Sequence, residues 1–130
     1  MRGASALGEL IHKYPKADVQ VIVVWEPVLP SDVGPPRDKV RRPLADPRVV
    51  EYWDPNLWMS NRAIRRAIQQ AQAAGEEPPS EDDIAWDFVA IFPAGTSWDD
   101  PFPIPSWHEG PVVNALGPVE EALAGTPGTP

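Results

Sequence analysis

The chain has 130 residues, the usual length of one domain, and its 11 basic against 19 acidic residues leave a formal charge of −8. That balance argues against nonspecific binding to nucleic acid, because a phosphate backbone would meet net repulsion. Eighteen prolines and six tryptophans point to long, stiffened loops, while the lack of cysteine excludes disulfides, thiolate nucleophiles and Cys-ligated metal from this chain.

The first element predicted is a helix over residues 4–14, where Leu7, Leu10, Ile11 and Tyr14 share one face and Pro15 ends the run. Residues 19–28 (VQVIVVWEPV) are β-branched and almost continuously apolar, the pattern of a central strand covered on both faces by helices. Residues 29–36 are turn chemistry. Short helical pieces follow over 37–55, broken at Pro43, with Asp46 and Pro47 as N-cap and first turn and with Val49, Val50 and Trp53 on one face. Ser60 is expected to cap a helix over 61–74, with Ala63, Ile64, Ala67, Ile68 and Ala71 inward and Gly75 as its stop. Arg62, Arg65 and Arg66 lie on its outer face, as a solvated surface or as a site for an anion or partner.

An acidic loop over 76–83 leads to a second predicted strand over 84–92 (IAWDFVAIF). Residues 93–111 form a proline-rich loop pinned by Trp98, Phe102 and Trp107, followed by a short strand at Val112 and Val113 and a helix over about 118–124. The expectation is an α/β domain over 1–124, its central sheet flanked by helices, and a flexible tail over 125–130. No apolar run is long enough to span a membrane and no signal-peptide pattern opens the chain, so a cytoplasmic protein without membrane insertion is expected.

The segments VVWEPVLPSD, DPRVVEYWDP, IAWDFVAIFPAG and GPVV, in that order, resemble a group of bacterial thioredoxin-like proteins of poorly defined function. The resemblance covers residues 3–124 and rests on Trp25, Pro27, Leu29, Asp46, Pro47, Arg48, Tyr52, Trp53, Asp54, Trp86, Asp87, Pro93 and Gly95. It implies a thioredoxin-like fold with a first strand and a Cys-x-x-Cys pair at the start of the first helix. Here the chain opens at that helix, so both are missing and the thiol chemistry does not carry over. Either the redox pattern lies upstream of this chain, or the incomplete unit is genuine and borrows a strand or an interface from a partner.

Candidate binding residues are the tryptophans with the acids or histidine beside them: Trp25 and Glu26, Trp53 and Asp54, Trp86 and Asp87, Trp98, Trp107 and His108. Glu26 stands near the carboxyl end of the best strand, where α/β sheets place ligands. Were Glu26 and Asp87 on neighbouring strands, burial beside tryptophan would raise their pKa values toward general-acid work. Alternatively each carboxylate accepts backbone or indole N–H bonds and orders the loops. His12 and His108 with Asp99, Asp100 and Glu109 lack zinc-site spacing, so no metal is assigned. No nucleophile-elbow or phosphate-loop pattern occurs, and no cofactor is implied. The expected function is a noncatalytic thioredoxin-like accessory subunit that meets a protein partner or a second copy. The alternatives are a thiol-disulfide oxidoreductase whose motif lies upstream and a carboxylate enzyme using Glu26 and Asp87.

Overall fold

A computed structural model describes residues 2–27, 31, 33–80, 88–98, 103, 105, 107–109 and 112–125, with residues 2 and 107–109 described by their backbone. The elements are α1 (Arg2–Lys13), β1 (Val21–Trp25), α2 (Asp38–Arg41), a 3-10 turn (Arg42–Leu44), β2 (Val49–Trp53) and α3 (Trp58–Ala74). After them come β3 (Val89–Ile91), β4 (Trp107–Glu109), a second 3-10 turn (Val112–Asn114) and α4 (Leu116–Gly125). The chain is therefore α/β. Instead of one central sheet, its described strands form two separate pairs: β1 and β2 are parallel, and β3 and β4 antiparallel.

The helical spacing at the start of the chain fixes how the core is built. Leu10 and Ile11 turn inward from α1, and Leu10 joins Ala17, Val119 and Leu123 in a buried cluster against which Leu7, Tyr14, Val19, Val89, Ile91 and Leu116 pack. The core thus lies between α1, α4 and β3. At the edge of that contact, Glu120 of α4 accepts from Lys13 Nζ at 2.6 Å and from the Tyr14 hydroxyl at 2.7 Å. On another side of α1, Gly8 lets the helix backbone approach Pro43, since a methyl group there would overlap the Pro43 carbonyl.

Arg48 ties β2 to α1. Its guanidinium donates to both Asp46 carboxylate oxygens, at 2.9 and 3.0 Å, and also to the carbonyls of Ile11, Tyr14 and Ala17 at 2.7 to 3.0 Å. These carbonyls, in the last turn of α1 and the turns just after it, each accept a backbone N–H as well, and Arg48 adds a planar cation, the favoured charge at a helix C-terminus. The Asp46 carboxyl, held mainly by its bond from the Arg48 side chain and next by the Arg48 backbone N–H, is lowered to about 2.

Four expectations are corrected. The stretch around Val49, Val50 and Trp53 is strand, not helix: Asp46 Oδ1 accepts the Arg48 N–H at 2.9 Å, closing a turn that delivers the two valines into pairing beside β1. Ser60 does not cap α3, which begins two residues earlier at Trp58. Val112 and Val113 lie in a 3-10 turn, and the short strand is Trp107–Glu109. Lastly, the first strand is shorter than residues 19–28 and is not covered on both faces, as detailed below. The second strand is confined to Val89–Ile91; residues 84–87 of the expected 84–92 lie outside the described residues, as does Phe102 of the expected loop anchors.

Candidate functional site at the ends of the parallel strands

The two parallel strands end alike in sequence, as Trp25-Glu26-Pro27 and Trp53-Asp54-Pro55. Their register pairs Trp25 with Trp53, and the Asp54 N–H bonds the Trp25 carbonyl at 2.8 Å, so Glu26 and Asp54 emerge side by side. Proline after each acid stops the ladder there, because it offers no N–H to continue it.

Both acids meet the first turn of α3. Ser60, the buried residue of that helix, donates its hydroxyl to Glu26 Oε1 at 2.5 Å and its N–H to Glu26 Oε2 at 3.3 Å. Asp54 Oδ2 accepts the Met59 N–H at 2.8 Å. The chain reaches this position through Leu57, a non-glycine residue with φ of 57°, whose carbonyl accepts the first helical bond from Asn61 at 2.9 Å. A left-handed leucine costs about 1 kcal/mol or more, and here the surrounding bonds outweigh that cost.

The environments drive the two carboxyls apart. Burial raises the Glu26 carboxyl above its ordinary range, and its hydrogen bond to Asp54 adds to that, while the Ser60 hydroxyl and N–H oppose it. For Asp54, burial is also the largest single influence and acts upward, yet the Met59 N–H, the Glu26 carboxyl and the Trp58 and Asn56 N–H groups together outweigh it and lower the carboxyl. Glu26 therefore retains its proton longer and shares it with an ionised Asp54. A protonated carboxyl beside an ionised one has the electronic make-up of an acid–base pair. Its bonds, however, go to the N–H groups that open α3, which makes the pair a two-residue helix cap.

The remaining expected site residues divide. Trp25 points to the same sheet face as Glu51 and gives its indole N–H to Glu51 Oε1 at 2.9 Å; Arg41 bonds the same carboxylate at 3.2 and 3.4 Å. Burial, the largest influence on Glu51, acts upward, but Arg41 and then Trp25 overcome it and leave the carboxyl lowered. Trp53 shares that face by register. Trp98 packs edge-on against Phe92, 4.6 Å between ring centres, in the loop after β3. Trp107 and His108 stand on β4 opposite Ile91 and Ala90. Trp86 and Asp87 lie outside the described residues; among those described, the acid that meets Glu26 is Asp54. The Glu26 and Asp54 pairing carried a sequence signal in the repeated Trp-acid-Pro, whereas nothing in the sequence pointed Ser60 toward Glu26 across 34 positions.

On the opposite face of the parallel pair, Ile22 aligns with Val50 and Val24 with Tyr52. This face is apolar and open: Ile22 is 42% exposed, Val50 39% and Tyr52 56%. Parallel strands are ordinarily covered on both faces, so four adjoining apolar positions with three exposed depart from the rule.

No protein-family model, curated protein or solved structure matches this chain.

Proposed function

We propose that this chain is a noncatalytic accessory subunit on a thioredoxin-like plan, which docks a protein through the open face of its parallel strands. The observation that carries this reading is the apolar face Ile22, Val24, Val50 and Tyr52, exposed on strands of a kind normally buried. Such a patch is uncharged, and it presents a tyrosine, a residue enriched in protein contacts because it buries much area with few rotamers. The order of a helix, a parallel pair joined through helical turns, a long helix, an antiparallel pair and a last helix supports the thioredoxin-like plan. The carboxyl pair fits this reading as scaffold, because capping α3 holds the ends of β1 and β2 in register beneath the face.

The test is to replace Val50 and Tyr52 together by glutamate and to follow the protein's size in native extract. The expected result is a fold retained by circular dichroism and a shift from a larger complex to the free chain. A wild-type chain that elutes free, or a complex that persists in the double variant, would overturn the reading.

A further inference from the structure

Charge is segregated along this sequence. All eleven lysines and arginines lie at or before Arg66, whereas residues 76–130 carry eleven acidic residues and no base. The longest helix, α3, sits across that divide. Trp58, Arg62, Arg65 and Gln69 recur at the spacing of one helical face, opposite the stripe that includes the buried Ser60, and all four are exposed, Trp58 by 65%. Neither Arg62 nor Arg65 has an ion-pair partner among the described residues. Arg66 beside them reaches Gln69 Oε1 at 3.2 Å, while its Nε is shielded from water and unpaired.

Just past the other end, Gly75 in a left-handed conformation turns the chain, and the Glu76 N–H bonds the Ala71 carbonyl at 2.8 Å. That bond fixes Glu76, followed by Glu77, at the negative end of the helix dipole, with no base in the last turn to offset them. Both glutamates are exposed. One helix thus presents unpaired arginines in its first half and unpaired carboxylates at its end.

We propose that this face joins two copies of the chain, with the α3 helices antiparallel about a two-fold axis beside Gln69. Arg62 and Glu76 lie seven residues on either side of Gln69, so the antiparallel arrangement sets the arginines of each copy beside the glutamates of the other, and the axis makes each contact occur twice. It also opposes the two helix dipoles. A parallel arrangement would instead place arginine against arginine. The contact does not depend on the sheet face being a docking surface. A single helix pair is small and charge-rich, so the dimer is weak and sensitive to salt.

The test is light scattering on the purified full chain from about 10 to about 500 µM, the range that a small interface calls for. The expected mass rises toward twice 14.3 kDa at low salt and falls back as salt is added. The charge reversals Arg62→Glu with Arg65→Glu, or Glu76→Lys with Glu77→Lys, each weaken the dimer at least tenfold, and mixing the two variants restores association. A chain that stays monomeric throughout, an association strengthened by salt, or a mixture of the two variants that fails to associate would overturn the proposal. So would a dimer lost on Val50→Glu with Tyr52→Glu but kept in the α3 variants, which assigns the contact to the sheet face instead.

Discussion

Arg48 shows how one side chain can hold two elements together. It pairs with Asp46 and serves three carbonyls at and just beyond the end of α1, so Arg48→Ala leaves a partly buried carboxylate without its cation and takes one of two donors from each carbonyl. Loss of about 3 kcal/mol in urea unfolding is expected, with Arg48→Lys intermediate because an ammonium cannot reproduce the planar fork. Asp46 supplies the pH dependence of this bond. Its folded pKa of about 2 lies below the unfolded value, so the stabilisation is present above about pH 4 and is lost as pH falls through 2. Unfolding measured between those limits should show a loss of about 1 kcal/mol, after allowance for solvent screening, that is absent in Arg48→Ala. Glu26 acts with the opposite sign. Its raised carboxyl binds a proton more tightly folded than unfolded, so its contribution is complete below the unfolded pKa and is lost as pH rises through the folded one. Glu26→Gln keeps a donor toward Asp54 and an acceptor for Ser60 without that loss. At pH 7 its melting temperature should equal or exceed that of the wild type, whereas Asp54→Ala should cost about 1 to 2 kcal/mol as a lost cap.

At the scale of elements, two helical glycines test whether packing or propensity decides. Alanine in place of an exposed interior helical glycine stabilises by about 0.5 to 1 kcal/mol, but Gly117 in the first turn of α4 precedes Pro118, whose ring opposes a Cβ on helical backbone, so Gly117→Ala should leave the melting temperature about unchanged although nothing else crowds it. Gly8 in α1 is pressed against Pro43, and Gly8→Ala should lower it despite the better propensity, because the helix must move off the 3-10 turn. The helices were legible because their apolar spacing and their stops are local: α1, α3 and α4 lie close to the expected 4–14, 61–74 and about 118–124. The segment around Val49 was not. Asp46-Pro47 is an equally good start for a helix or for a turn, and the choice fell to pairing with β1, a contact between residues about 28 positions apart that no local pattern encodes. Strands β3 and β4 are three residues each, too short for alternation to announce them. The candidate site divides along the same line. Trp-Glu-Pro and Trp-Asp-Pro were visible, but bringing them together required the parallel register, and bringing Ser60 to them required the turn at Leu57.

At the scale of the whole molecule, the described core gathers α1, α4 and β3, while the parallel strands attach to α1 through Arg48 and expose one apolar face. That division is why the open face can be altered without emptying the core. Glutamate at Val50 and Tyr52 should change unfolding free energy by no more than about 1 kcal/mol, the range of surface substitutions, whereas Leu123→Ala in the core should cost about 2 to 4 kcal/mol. The central claim is that the face carrying Tyr52 meets a protein. Its most direct measurement places a photoactivated cross-linking residue at position 52, and as control at exposed Glu9 of α1, in the cells that make the chain. The account predicts one discrete protein adduct from position 52, lost when Val50 becomes glutamate and absent from position 9. Equal, diffuse labelling from both positions, or no adduct at position 52, would contradict it.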